Sequence, residues 1–300
     1  MIHIKDIQER LKINPEPKEV TEMREFILSS FQGLEFIEEG HRYSLNNQDG
    51  TVIEKIPSAS AIIDRFVPKA DWDDIANRYA MRHGMEVSAV KRMWKEKNIK
   101  STNNGSSTHA YGEFMQKFVT NGEPNFCEIL KPQYECGFFI PYSQKQEAIS
   151  KYWEDAIKVN EIYPLLPEVK MYMPLDNKYE INEVFCGTAD ITFAYKYNNK
   201  WCILLEDYKT NASLYSDFNR NNGNVMLPPF DNLIDEALSH YIIQQGLYSM
   251  MLENLGIDVI SRKLVHLKDD GTYKKVKLPY IKEQLIECFK EEYKQSDNNH

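Results

Sequence analysis

Long apolar runs are absent from this chain. No stretch of about eighteen apolar residues occurs in its 300 residues, so no transmembrane helix is expected. The start, Met1 to Arg10, is already charged and lacks the apolar centre of a signal peptide. A cytoplasmic location and no membrane partner are therefore expected. Paired cysteines are absent too. The five cysteines, Cys127, Cys136, Cys186, Cys202 and Cys288, form no C-x-x-C pair, which argues against a zinc ribbon or a clustered iron–sulfur ligand set. An odd count without close spacing suits free thiols in a reducing compartment. Positive charge is also short. Lys and Arg number 36 against 45 Asp and Glu, and the net charge of −9 argues against non-specific nucleic-acid binding over the whole surface. A local basic groove or an acidic metal site remains compatible with that balance. Internal repeats and long low-complexity segments are missing as well.

What is present is a globular composition, 42% hydrophobic and 27% charged, in a chain long enough to bury a large core without disulfides. Residues 1–34 read as an irregular or helical lead-in. Phe36–Leu45 and Thr51–Ile56 flank Asn46-Asn47-Gln48-Asp49-Gly50, a hairpin signal. A helix start follows Pro57, with Ser58 or Ser60 as N-cap. Asp71–His83 and Glu86–Asn98 read as helices broken at Gly84. Polar, glycine-containing Lys100–Ser107 reads as a loop, and Thr108–Val119 as a helix ending before Asn121-Gly122. Gln144–Asn160 is amphipathic. Val169–Met173, Glu183–Tyr197 and Lys200–Thr210 read as strands, the last two joined at Asn198-Asn199 as an antiparallel hairpin. Asp231–Leu255 reads as a long helix stopped by Gly256. Val259–Leu267 and Thr272–Leu278 are strands around the turn Asp269-Asp270-Gly271, and Tyr280–Tyr293 is a closing helix before a polar tail. Helix, three strands, helix, strand predicts an α/β (α+β) core over residues 105–295, preceded by a mostly helical part over residues 1–104.

Alternation locates the chemistry. On Lys200–Thr210 the odd positions are Trp201, Ile203, Leu205, Asp207 and Lys209, and the even ones are Cys202, Leu204, Glu206 and Tyr208. Both faces are apolar at first, as in a strand covered on both sides. Asp207 and Lys209 therefore project to one side at the strand's end, while Glu206 points to the other. Asp190, in Gly187-Thr188-Ala189-Asp190 on the partner strand, is a carboxylate among Phe185, Ile191 and Phe193, costly to bury unless it is paired or binds a cation. Two carboxylates and a lysine supply what phosphodiester hydrolysis needs: a divalent metal with oxygen ligands, an activated water and charge stabilisation. The competing reading is a strand-end salt bridge, with Asp190 capping a turn.

At this point the sequence resembles the PD-(D/E)XK nuclease superfamily, in its RecB-like exonuclease branch. The matching residues are Gly187-Thr188-Ala189-Asp190, then Leu204-Leu205-Glu206-Asp207-Tyr208-Lys209-Thr210, then Gln244-Gln245-Gly246-Leu247-Tyr248. Tyr241, Gln244, Tyr248, Leu252 and Gly256 extend the last match. Upstream, Gly105-Ser106-Ser107-Thr108-His109 with Glu113 resembles the family's glycine loop followed by H-x-x-x-E on a helix. The resemblance implies a restriction-endonuclease-like core: a central mixed sheet flanked by helices. It implies Asp190, Asp207, Lys209, Gln244 and Tyr248 as active-site residues. It implies a magnesium ion, replaceable by manganese, held by His109, Asp190, Asp207, the Tyr208 backbone carbonyl and Glu168. The cysteines that hold an iron–sulfur cluster in some relatives are missing, so none is expected.

Each outer residue has a plainer alternative. His109 is otherwise a surface helix histidine, Glu113 a solvated carboxylate rather than its orienting partner, and Glu168 a loop carboxylate. Gln244 supports the site or hydrogen-bonds into the loop after Lys209. Residues 211–229, with Asn221-Asn222-Gly223-Asn224, read as a flexible loop beside the site. Arg78, Arg82, Lys91, Arg92, Lys95 and Lys97, interleaved with Trp72, Tyr79 and Trp94, make the N-terminal helices a candidate DNA-binding arch or an ordinary amphipathic pair. The first functional expectation is a DNA exonuclease of phage or bacterial recombination or repair, acting on ends or single strands, with a recombination protein as candidate partner. The second is a structure-specific endonuclease on the same fold, and the third a non-catalytic DNA-binding module.

Overall fold

The computed structural model describes residues 9–10, 12–37, 42–47, 49–121 and 143–293. Cys127, Cys136, Gln48, the Gly122 stop and the tail after Tyr293 lie outside the described residues. Helix α1 (Lys18–Ser30) leads into an antiparallel sheet of β1 (Leu34–Ile37), β2 (Arg42–Asn46) and β3 (Val52–Ile56). The predicted single strand Phe36–Leu45 is two strands, with Phe36 paired to Tyr43. Helix α2 (Ala59–Asp64) takes Ser58 as its cap, the Ser58 hydroxyl accepting the Ala61 N–H. Helix α3 (Trp72–His83) is capped by Asp71 and stopped by Gly84, which sits at φ +62° as a left-handed C-terminal residue.

Lys100–Ser107 is not a loop but the middle of α4 (Val87–Asn121), one continuous helix. Ser, Thr and Asn cost only a few tenths of a kcal/mol each in a helix, up to ~0.7, and packing overrides that. Val90 anchors one end of α4 in a small cluster with Ala76 and Ala80, and Met115 and Val119 anchor the other in the main core. Between them Ser107 and Thr108 are buried, and the Thr108 hydroxyl donates back to the Asn104 carbonyl at 2.7 Å. Gly105 therefore forms no glycine loop. The boundary between residues 104 and 105 falls within this helix. Val20, Ile27, Ile62 and Ile63 of the N-terminal part share one core with the main sheet.

After α5 (Gln144–Ala156), opened by a Ser143–Gln146 capping box, comes a five-stranded mixed sheet. Its order is β4 (Ile162–Met173), β5 (Phe185–Tyr197), β6 (Lys200–Lys209), β7 (Val259–Leu267) and β8 (Tyr273–Lys277). Only β6 and β7 are parallel, and helix α7 (Ala237–Asn254) connects them. The β5–β6 turn places Asn198 and Asn199 at φ +49° and +61°, as a two-residue hairpin turn requires. Helices cover both faces: α1, α2 and α7 on one, α4 and α5 on the other. The chain is thus α+β, with a mixed central sheet flanked by helices, and no helix among the described residues is long and apolar enough to cross a membrane.

Three predicted helices are shorter than expected: Gln144–Asn160 ends at Ala156, Asp231–Leu255 starts at Ala237, and Tyr280–Tyr293 is broken. Residues 231–236 tie down the segment after β6: Ile234 bridges Val225, and Glu236 pairs with Arg220 and accepts the Ser216 N–H. Residues 211–229 are accordingly held in place and include a short helix α6 (Asp217–Asn222). Tyr280–Tyr293 divides into α8 (Lys282–Glu287) and a 3-10 turn (Glu291–Tyr293). Cys186, Cys202 and Cys288 are free and buried.

Two glycines in α4 give opposite expectations, Gly105 for the helix itself and Gly112 for its packing. A methyl on Gly105 meets nothing nearer than Thr210 Oγ1 at 3.9 Å, whereas one on Gly112 would lie 2.4 Å from the Tyr208 ring. Gly105→Ala is expected to raise stability by about 0.5–1 kcal/mol, as for a mid-helix glycine. Gly112→Ala is expected to lower it by about 1–3 kcal/mol through overpacking. Urea unfolding of the two variants checks both signs, and a loss on Gly105→Ala would refute the unbroken helix.

Candidate active site

The site forms where the two central strands part. The β5–β6 ladder runs from Tyr197↔Lys200 to Ile191↔Glu206 and stops there. At the next position the Asp190 carboxylate replaces a ladder partner: its Oδ2 accepts the Tyr208 N–H at 2.9 Å. Strand β5 also changes faces at this residue. Odd-numbered Phe185 and Ala189 pack with α7, but odd-numbered Ile191 and Phe193 pack with α4 and α5. On the other edge β4 carries a register shift between Pro164 and Pro167, patched by the Thr192 hydroxyl, which donates to the Leu166 carbonyl and accepts the Leu166 N–H. Two residues further Glu168 sits at φ +45°, a conformation costing a non-glycine residue ~1–3 kcal/mol. Pro167↔Ile191 and Val169↔Ala189 are paired, so Glu168 lies opposite Asp190. A bulge, a strained residue and a strand split thus turn two carboxylates to one point.

Helix α4 brings the third group. His109 Nδ1 lies 3.1 Å from Asp190 Oδ2 and 3.9 Å from Glu168 Oε1, its ring edge-on to Tyr208. One donor atom from each of His109, Glu168 and Asp190 lies within 4.8 Å of the other two. Donors about 2.0–2.2 Å from a common ion are at most ~4.4 Å apart, so a small contraction would seat a divalent cation. His109 and Glu168 keep 31% exposure and Asp190 only 8%, which leaves the group open from one side.

Asp207 and Lys209 form the adjoining half. Their side chains are on the α7 side of the sheet, as alternation predicts. The Lys209 ammonium is 2.5 Å from Asp207 Oδ2, 3.2 Å from Gln244 Oε1 and 4.2 Å from the centre of the Tyr241 ring. Asp207 Oδ1 accepts from Gln245 Nε2 at 3.0 Å. Asp207 thus stands beside the metal-type group, held by Lys209 and Gln245, and Tyr208 reaches Asp190 through its backbone N–H. The Tyr208 side chain is core, its hydroxyl accepting from the Trp153 indole at 2.7 Å. Tyr248 is 4% exposed and packs on Gly187, where an added methyl would lie 2.3 Å from its ring. Glu113 pairs with Lys117 at 2.8 Å rather than with His109.

The electrostatics describe a centre short of positive charge. Burial, then the Asp190 charge, pushes Glu168 up to about 7. The same two causes, opposed by Lys209, push Asp207 up to about 6. Burial works against charge on Asp190 as well, but His109 and Lys209 outweigh it and hold this carboxyl below its ordinary range. His109 is desolvated, which disfavours its proton, yet Asp190 and Glu168 raise it well above the usual imidazole value. Lys209 likewise loses solvent and is raised by Asp207 and Asp190. A divalent cation would take the place of the protons that His109 and Glu168 retain, the usual exchange when ligands must deprotonate.

No protein-family model matches this chain, and no curated protein sequence matches it either.

Sequence reasoning missed three contributors. Gln245, beside the predicted Gln244, is the glutamine that bonds Asp207. Its helix is buried nearly all round, so facing could not be assigned from an apolar stripe. Tyr43 of the small sheet bonds the Thr188 side chain, within electrostatic reach of Glu168. Nothing local marks it. Gly112, three residues after His109, makes room for the Tyr208 ring. Its signal was a glycine within a helical segment.

If the His109–Glu168–Asp190 group holds a divalent ion, manganese should stabilise the folded protein. At about 100 times its Kd the gain is ~2.7 kcal/mol, reversed by EDTA and absent in His109→Ala and Asp190→Asn. Thermal unfolding with and without manganese measures this, and an unchanged wild-type transition would rule the ion site out.

Proposed function

We propose that this chain is a divalent-metal-dependent nuclease that hydrolyses DNA phosphodiester bonds, on a restriction-endonuclease-like core of the PD-(D/E)XK, RecB-like type. The observation that carries the reading is convergence. His109, Glu168, Asp190 and the Asp207–Lys209 pair come from a helix and three strands and meet at one half-open point. The mixed sheet flanked by helices is compatible with that core. His109, Glu168 and Asp190 would hold the ion, magnesium with manganese as substitute. When bound, such an ion neutralises phosphate charge and lowers the pKa of water.

The chain's own residues supply the rest. Lys209 is a cation fixed on three sides, by Asp207, Gln244 and the Tyr241 ring, so it can meet charge developing on a phosphate without reorganising. Asp207 and Gln244 are positioning residues for that ammonium, and Gln245 fixes Asp207 in turn. Tyr248 supports Asp190 through Gly187 and Thr188, since its ring occupies the space a side chain at Gly187 would take. DNA is the proposed partner, reached through the helical hairpin of α3 and the first half of α4. Trp72, 67% exposed, and Tyr79 both meet Trp94 edge-on there. Lys91 and Arg78 are paired with Asp73 and Asp74, while Arg82, Arg92, Lys95 and Lys97 are exposed and, among the described residues, have no ion-pair partner. Cations beside aromatic faces suit phosphate contacts with base stacking.

The test is one assay on linear duplex, single-stranded and closed circular DNA, with magnesium, manganese or EDTA. Digestion of the linear or single-stranded forms with either metal, none in EDTA and an intact circle are expected of an exonuclease. Nicking of the circle would favour the endonuclease instead. Lys209→Ala should lower the rate by about 10²–10³-fold. No cleavage of any DNA with either metal would overturn the nuclease reading.

A further inference from the structure

A cavity of about 210 Å³ opens between α2 and the start of α7, lined by Ser60, Ile63, Asp64, His240, Tyr241 and Gln244. Two of its walls also cage Lys209. The Tyr241 ring carries the ammonium at 4.2 Å, and Gln244 Oε1 accepts from it at 3.2 Å. The cavity is thus one side chain away from the cation of the site, the sort of separation that divides a phosphate from its own base. It is smaller than the ~300–1,000 Å³ of pockets for drug-sized ligands, so it suits one ring system rather than a whole nucleotide.

Its polar groups are spare. Among the described residues, the side chains of Ser60 and Asp64 have no hydrogen-bond or ion-pair partner. The Gln244 amide nitrogen is unused, because the contact with Lys209 takes only its oxygen. His240 is held through Nε2 by Asp235 Oδ1 at 2.9 Å, which leaves Nδ1 free. Ile63, 4% exposed, gives an apolar floor. A carboxylate without a counter-ion repels a phosphate, so the backbone of a nucleic acid is the wrong occupant. A neutral, flat group that donates N–H to Asp64 and accepts from the Gln244 amide is the right one. Carboxylates accept from the cytosine amino group, and glutamine amides and serine hydroxyls read neighbouring base edges. Thymine would present a carbonyl oxygen where cytosine presents its amine, setting acceptor against acceptor.

We propose that this cavity is a base-recognition subsite that takes the amine-bearing nucleobase, cytosine in first place, of the nucleotide next to the phosphate held at Lys209. The subsite rests on the nuclease reading for its place in a reaction but not for its binding chemistry. It biases the protein toward cytosine over thymine through Asp64, with Ser60, His240 and Gln244 completing the edge. Tyr241 is the shared wall that couples an occupied cavity to the position of the lysine.

The experiment measures binding and cleavage separately. Fluorescence anisotropy with labelled oligo(dC) and oligo(dT) in calcium is read for wild type, Asp64→Ala and Ser60→Ala, and the same oligonucleotides are incubated with manganese. Wild type is expected to bind oligo(dC) about tenfold more tightly than oligo(dT), and Asp64→Ala to reduce that ratio below about twofold. Asp64 and Ser60 are exposed, so circular dichroism should be unchanged in both variants. Equal binding of the two oligomers by wild type, no binding of either, or a ratio that survives Asp64→Ala would overturn the subsite. Base preference in binding without any cleavage in manganese would leave the subsite standing and bring down the nuclease reading. Cleavage without base preference would do the reverse.

Discussion

The structure around the site depends on the cost of gathering three carboxylates, Glu168, Asp190 and Asp207, where two central strands separate. Asp190 is 8% exposed and Asp207 2%. Unpaired, such charges are expensive to bury. The fold offsets part of that cost with cations it places itself, Lys209 from the same strand as Asp207 and His109 from α4. The offset is incomplete, because Glu168 and Asp207 are both pushed toward neutrality. That residual shortage of positive charge, directed to a half-open side, is what a bound cation would relieve.

Glu206 gives the comparison within one strand. It is 3% exposed and neighbours Asp207 in sequence, but it points to the other face. There Tyr152 donates to it at 2.9 Å, Lys275 lies 3.1 Å away and Lys263 3.6 Å. The Lys275 ammonium also stacks over the Tyr152 ring. Glu206 is met by the protein's own groups and leaves nothing for a ligand to supply. Two carboxylates at adjacent positions therefore meet different surroundings, decided by which face each occupies and what stands opposite.

That division was legible in the sequence, because alternation along a strand is rigid. The assignment of Asp207 and Lys209 to one side and Glu206 to the other needed only the parity of residues 200–210. The hairpin, the long helix before β7 and the convergence of Asp190 with Asp207 were readable for similar local reasons. The continuity of α4 through residues 100–107 was not legible, because Gly105 and the hydroxyl-bearing residues around it are punctuation in isolation. Here Ser107 and Thr108 are buried against other elements, and the helix runs through them. Gln245 and Tyr43 were invisible for a different reason. Their contacts cross from α7 and from the small sheet, and no local pattern records a long-range partner. Glu168 lies between these cases: its place in sequence was visible, but its turn toward Asp190 requires a backbone conformation that sequence does not display.

The Gly187–Tyr248 contact shows how spacing in a sequence becomes geometry. The two residues are far apart in the chain, yet the glycine has no side chain because the tyrosine ring fills that space. The ring pins β5 three residues before Asp190, on the face that belongs to α7. Three residues later the strand has turned over and its apolar side chains belong to α4 and α5. Gly112 and the Tyr208 ring make the mirror contact across the sheet, pinning α4 three residues after His109. Each glycine thus lets an aromatic ring pack against one element that carries a side chain of the candidate site. A methyl at either position would overlap the ring and force one of the two to shift. The precision of the carboxylate cluster is therefore inherited from two close packings that themselves carry no charge.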